Sequence, residues 1–104
     1  MVRMFNSARS FDGDLSKWDV SRVTNMLAMF FDAASFNSDI SEWDVSRVVI
    51  IDAMFANAKN FDQILCGDAW VNSKTVRTSI FAGSLGSIGG LCSIEMILWC
   101  HYRF

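Results

Sequence analysis

Proline is absent from these 104 residues, so no connection in the chain can rely on a proline turn. Histidine occurs once, at His101. A single imidazole so near the end cannot complete a nucleophile–base–orienter set, which argues against an enzyme. Basic residues are in no excess: nine Lys and Arg stand against eleven Asp and Glu, for a net charge of −2. Without a basic stripe, nucleic acid is not an expected partner. No run of 18 apolar residues exists, because Glu95 interrupts the apolar tail after Ser79. No membrane span is therefore expected. The opening MVRMFNSARSFDG has no apolar stretch of the signal-peptide kind. Cysteine is sparse, and Cys66, Cys92 and Cys100 all fall in the last 40 residues. A count of three does not fix a redox compartment.

What is present is a hydrophobic, repetitive chain. Hydrophobic residues make up 52% and charged residues 19%, a balance that suits a packed protein. Met4-Phe5, Met29-Phe30 and Met54-Phe55 mark a period of 25 residues. Residues 4–28 and 29–53 are identical at 14 of 25 positions. A repeat of this length is the mark of stacked units, each unable to bury its apolar face alone. Three units are expected, 4–28, 29–53 and 54–80, forming a domain over 4–84. The chain begins one step before a Met-Phe, without the W-D-V-S half that would precede it. It therefore reads as a piece of a longer array or as a product with an incomplete first coil.

Two hydrophobic periods meet within a unit. Trp18-Asp19-Val20 alternates as a short strand does. Met26, Met29, Phe30 and Ala33 follow the i, i+3, i+4, i+7 spacing of one helix face. Thr24 is a candidate N-cap for that helix, in competition with Ser21. Phe36-Asn37-Ser38-Asp39 supplies a turn. The expected fold is an α/β repeat, with one short parallel strand and one short helix in each coil. Leu15, Trp18, Val20, Val23, Trp43, Phe5, Phe30, Phe36, Phe55 and Phe61, with Met4, Met26, Met29 and Met54, are assigned to the core by their phase. Val48 to Ile51 is β-branched and weakens the second helix start. In the third unit Trp70 comes two residues late, and Cys66-Gly67-Asp68-Ala69 is expected to bulge outward.

Residues 85–104 are either a degenerate capping coil or an irregular tail, with Gly83, Gly86, Gly89 and Gly90 weakening regular structure there. In the first case Leu91, Cys92, Ile94, Met96 and Trp99 fall into the frame of the earlier units. Cys66 and Cys92 then share a phase one coil apart, at a spacing a disulfide accepts. That pairing depends on the fourth coil and on an oxidising compartment.

The spacing Leu15-x-x-Trp18-x-Val20-x-x-Val23 is that of a leucine-rich-repeat strand. The full motif, M-F-x-x-A-x-x-F-[DN]-x-D-[LI]-S-x-W-D-V-S-x-V, resembles the BspA-type leucine-rich-repeat surface proteins, also known as domain of unknown function 285. CGDAWVNSKT…FAGS is similar to the closing repeat of algal members. The resemblance covers Met4 to about Ser84. It implies a right-handed leucine-rich-repeat-like solenoid, tandem arrays with neighbouring repeats, and display outside the cell or at its surface. It implies no catalytic residues.

The outward remainder of the motif is charged. Lys17, Asp19, Arg22 and their counterparts Glu42, Asp44 and Arg47 form the candidate binding face. Asp19 and Asp44 stack one period apart and repel; Arg columns beside them, and Lys17 opposite Glu42, offer relief by ion pairing. Exposed pairs of this kind contribute roughly 0–1 kcal/mol each. The face could equally be a solvated surface. Asp12-Gly13-Asp14 and Asn37-Ser38-Asp39 lack the ligand series of a calcium loop and are expected to cap turns. Cys100 and His101 alone do not make a zinc site. No metal or cofactor is expected. The function that follows is a non-catalytic module of a surface or secreted protein, binding a protein or glycan. A structural spacer or a truncated fragment is the alternative.

Overall fold

The computed structural model describes residues 1–73, 75 and 79–89. Its organising pattern is a backbone hydrogen-bond ladder between consecutive 25-residue units. The N–H groups of Arg3, Phe5 and Ser7 donate to the carbonyls of Leu27, Met29 and Phe31 at 2.9, 2.8 and 2.7 Å. One unit on, Ala28, Phe30 and Asp32 donate to Asp52, Met54 and Ala56 at 3.0, 2.8 and 2.8 Å. Phe55 and Asn57 then donate to Ile80 and Ala82. The intervening N–H groups turn inward along the chain: Met29 to Met26, Phe31 to Ala28, Ala33 to Phe30. Alternate donors in this stretch thus serve the next unit and the local turn.

This division differs from the expected helix over Met26 to Ala33. The segment is a chain of tight turns, and the reason lies in the backbone. Ala28 and Asp32 have φ of 50° and 58°. Such left-handed residues recur in pairs at Arg3 and Ser7, at Ala53 and Asn57, and at Ser79 and Gly83. Two left-handed residues four apart break an α-helix, which requires right-handed backbone throughout. Arg3, Ser7, Ala28, Asp32, Ala53, Asn57 and Gly83 are each the third residue of a hydrogen-bonded turn of the type that demands positive φ. The apolar spacing fits both arrangements, so spacing alone pointed to the helix. With no helix at this place, Thr24 caps none. Strands are also absent from Trp18–Val20 and Trp43–Val45; a single parallel bridge joins Asn25 to Ile50. The regular elements among the described residues are β1 (Ile64–Leu65), α1 (Asp68–Val71) and β2 (Ser87–Ile88), with β1 and β2 paired in parallel.

Side chains follow the same period. Phe5, Phe30, Phe55 and Phe81 form one column of rings, with centroids 5.4, 5.6 and 5.5 Å apart and planes within 6°. Phe11, Phe36 and Phe61 form a second, at 6.0 and 5.8 Å. The columns touch each other, at 4.0 Å between Phe30 and Phe36. The separations along each column exceed the spacing of about 4.8 Å between adjacent strands, so the rings stack with an offset, the arrangement their quadrupoles favour. Met26, Met29, Ile40, Ile51, Met54 and Leu65 fill the remaining interior.

The third unit absorbs its extra residues without losing these contacts. The indole of Trp43 donates to the Leu15 carbonyl at 2.9 Å, and the indole of Trp70 donates to Ile40, the counterpart of Leu15, at the same distance. The segment expected to bulge instead coils into α1, which swings the buried Trp70 back into line. Gly67 permits this: a Cβ there would collide with the Ser41 carbonyl oxygen. Within the glycine-rich stretch after Phe81, β2 pairs with β1, and the Gly89 N–H donates to the Leu65 carbonyl at 3.1 Å. At Gly86 a Cβ would meet the rings of Phe61 and Phe81 at 2.7 and 2.8 Å.

Two residues assigned to the core are exposed. Trp18 is 38% exposed and Met4 53% exposed, whereas Trp43 is at 2% and Met29 at 0%. Trp18 and Met4 occupy the same phase as Trp43 and Met29, but among the described residues no unit lies over them.

The turn chain and a helix predict opposite signs for one substitution. Ser7 is exposed with φ of 59°. Ser7→Gly should raise the unfolding free energy by roughly 0.5–1 kcal/mol, because glycine alone occupies left-handed backbone without penalty. In a helix the same change would destabilise by about that amount. Urea denaturation decides between them.

Candidate functional site

The recurring Asp-x-Ser triplets build the charged edge. In each, the aspartate Oδ1 accepts the N–H of the serine two residues on: Asp14 from Ser16 at 2.9 Å, Asp19 from Ser21 at 3.0 Å, Asp39 from Ser41 at 3.0 Å, Asp44 from Ser46 at 3.1 Å. This is the turn that Asx side chains make with their own backbone. The Ser21 hydroxyl adds a second bond to Asp19 at 2.6 Å. Asp19 and Asp44 are thus part of the turn structure as well as of the surface.

Their electrostatics follow. Hydrogen bonds from the serine hydroxyl, then the serine N–H, hold Asp14, Asp19 and Asp44 below the ordinary aspartate value of 3.8. Arg22 lowers Asp19 further and Arg47 lowers Asp44, while the Asp19 charge opposes ionisation of Asp44. That last effect is the like-charge repulsion of a stacked column, and it is the weakest of the influences on Asp44.

All six residues of the candidate face, Lys17, Asp19, Arg22, Glu42, Asp44 and Arg47, are exposed. The expected ion pairs do not form: among the described residues, the salt bridge present joins Arg9 to Asp32 at 3.0 Å, elsewhere on the surface. The aspartates find hydroxyl and amide donors within their own turns, leaving the arginines in water. Beside Asp44 and Arg47 along the chain opens a groove of about 610 Å³. Ser46, Val48 and Val49 line one side; Asp68, Ala69 and Asn72 of the α1 segment, with Ser73 and Thr75, line the other. Val49 is 64% exposed there. Sequence reasoning treated Val49 only as a poor helix former; its signal was a β-branched residue in the place of Thr24.

A polar column also escaped the sequence reading. Asp12 Oδ1 accepts the Asn37 N–H at 3.1 Å, and Asn37 Oδ1 accepts the Asp62 N–H at 2.8 Å. The alternation of Asp and Asn after each Phe was its signature. These residues cap turns as expected, but across units and not within them. Cys66 is disulfide-bonded. Cys92, its expected partner, lies outside the described residues, as do Cys100, His101 and the capping-coil positions from Leu91 onward.

The family described as Mycoplasma protein of unknown function, DUF285, matches residues 1–86. The chain belongs to that family, a repeat family whose function is unknown. No curated protein and no solved structure matches it. Among the described residues, no helix is long and apolar enough to cross a membrane.

The lowered carboxyl groups set an acid limit on the fold. A carboxylate whose folded pKa is depressed stabilises the folded state fully above the unfolded value of 3.8 and loses that contribution as pH falls through the lower folded value. The melting temperature should therefore be insensitive to these groups above about pH 5 and fall below pH 4. Replacing Asp19 and Asp44 together by alanine should lower it at neutral pH and flatten the acid slope. Identical acid slopes in the two proteins, measured by circular dichroism, would refute the assignment.

Proposed function

We propose that this chain is a non-catalytic repeat module of a secreted or cell-surface protein. It binds protein or glycan through the charged edge of Lys17, Asp19, Arg22, Glu42, Asp44 and Arg47, with the adjoining groove as the apolar part of the contact. The observation that carries this reading is the pairing of six exposed charges, free of mutual ion pairs, with an open groove beside Asp44 and Arg47. Unpaired charges on a rigid surface are available to a ligand without first breaking internal contacts. The disulfide at Cys66 supports an oxidising, extracellular setting.

The architecture we propose for the module is a right-handed solenoid of the BspA leucine-rich-repeat type. The ladder offset of one unit and the two ring columns support stacked coils. The turn chain supports a coil in which turns replace the helix of the leucine-rich repeat. A spacer role in a longer array is the second reading, favoured by the Asp-x-Ser bonds, which give Asp19 and Asp44 a structural purpose of their own.

A combined variant separates the two. Arg22→Glu and Arg47→Glu, with Lys17→Glu and Glu42→Lys, reverse the edge while leaving the turn-forming aspartates intact. Screened against glycan and secreted-protein arrays, the wild-type chain should give defined hits that weaken about tenfold or more in the variant. Its melting temperature should stay close to wild type. Failure of the wild-type chain to bind any arrayed ligand would favour the spacer.

A further inference from the structure

The ladder between units breaks at one internal place. Between the first and second units the Val49 N–H donates to the Thr24 carbonyl at 2.8 Å. One unit on, Thr75 holds the corresponding position, preceding Phe81 as Val49 precedes Phe55. Its N–H turns instead to the Ser73 hydroxyl oxygen at 3.3 Å. The Val49 carbonyl, counterpart of the Thr24 carbonyl, is thus left without a donor among the described residues. The groove opens at this break, with Val49 on one wall and Thr75 on the other. Val48, Val49 and Ala69 supply its apolar surface, and Asn72 at the end of α1 supplies an amide. Among the described residues that line it, Asp68 alone is charged. Asp68 is exposed, and its carboxylate makes no ion pair or hydrogen bond among the described residues. No aromatic ring lines the groove; Trp70 is buried, with its indole bonded to the Ile40 carbonyl.

We propose that the groove is a site for a lysine or arginine side chain presented by a segment of a partner protein. The inference rests on the reading of the groove as part of the binding contact, and it chooses protein over glycan there. The reasoning is one of complementarity. A single free carboxylate beside apolar surface matches a side chain that is aliphatic along its stem and positive at its tip. The stem would cover Val48, Val49 and Ala69, and the ammonium or guanidinium would pair with Asp68 in a charge-assisted hydrogen bond. An acidic side chain would be repelled by the same carboxylate. The unmet Val49 carbonyl calls for a hydrogen-bond donor, and a peptide backbone carries an N–H at each residue other than proline. The volume of about 610 Å³ takes a side chain together with the backbone that flanks it. A sugar would find no ring on which to lay its C–H face.

The test titrates the isotopically labelled full chain with capped pentapeptides, Ala-Ala-X-Ala-Ala, in which X is lysine, arginine, norleucine or glutamate. The lysine and arginine peptides should shift the Val49, Asp68 and Asn72 amide signals together. They should bind about threefold or more tighter than the norleucine peptide, and the glutamate peptide should give no shift. Asp68→Asn should erase the preference for lysine over norleucine and leave the melting temperature close to wild type. Val49→Arg, at an exposed position, sets the chain's own guanidinium at the groove and should abolish the shifts. Equal binding of the lysine and norleucine peptides overturns the proposal, as does a preference that survives Asp68→Asn. Shifts at these residues from maltotriose, with none from the lysine peptide, overturn it in favour of a glycan. Array hits lost in the charge-reversed edge variant but kept in Asp68→Asn leave the edge standing and overturn the basic-side-chain site. An intact lysine preference with no array hits would sink the edge and keep the groove.

Discussion

Everything in this fold depends on the division of backbone donors between alternate residues. One N–H bonds the next unit, and its neighbour closes a turn within its own. This division places a left-handed residue at two positions of each unit, four apart, and the chain accepts Arg, Ser, Ala, Asp and Asn there. A non-glycine residue in that conformation is disfavoured by about 1 kcal/mol or more. The stacking it permits offsets the strain: each turn aligns a phenylalanine over its counterpart, and each unit seals the apolar face of the next. Met29, Phe30, Phe36 and Ile40 of the second unit are fully buried, as are Met54, Phe55 and Phe61 of the third, while Met4 and Trp18 of the first are exposed.

The repeat was fully legible in the sequence, because period and phase survive as identities at fixed spacing. Phase also assigned Leu15, Val20, Met26, Phe30 and Phe36 to the interior. The conformation between those points was not legible. Met26, Met29, Phe30 and Ala33 satisfy a helix face and a chain of turns equally, since both place residues three and four apart on one side. What separates them is positive φ at Ala28 and Asp32, and alanine gives no local hint of it. The outward side chains were found by elimination, and all six are exposed. Their bonding was missed because the Asp-x-Ser turn was read as half core and half charge, when the serine was the aspartate's partner. In the third unit, counting residues placed Trp70 out of frame, although α1 returns it to its place.

A ligand at the charged edge would be met by charge and shape, since its long side chains stand in water with only turn-forming contacts. Lys17 and Glu42 already differ without touching the stack, whereas Asp19 and Asp44 are held by the turns they close. The contacts between units are constrained instead by the backbone bonds that join them.

The direction of the ladder has a mechanical consequence. Its bonds point from one unit to the next, along the axis on which the rings are piled. A tensile load applied at the two ends of such a stack acts along those bonds and does not shear them as a set. The outermost coil would peel first, giving up its bonds one after another as its chain is drawn away, and the next coil would then become the boundary. A chain built this way yields in steps of about 25 residues at low force, and lengthens under tension while its inner coils remain intact.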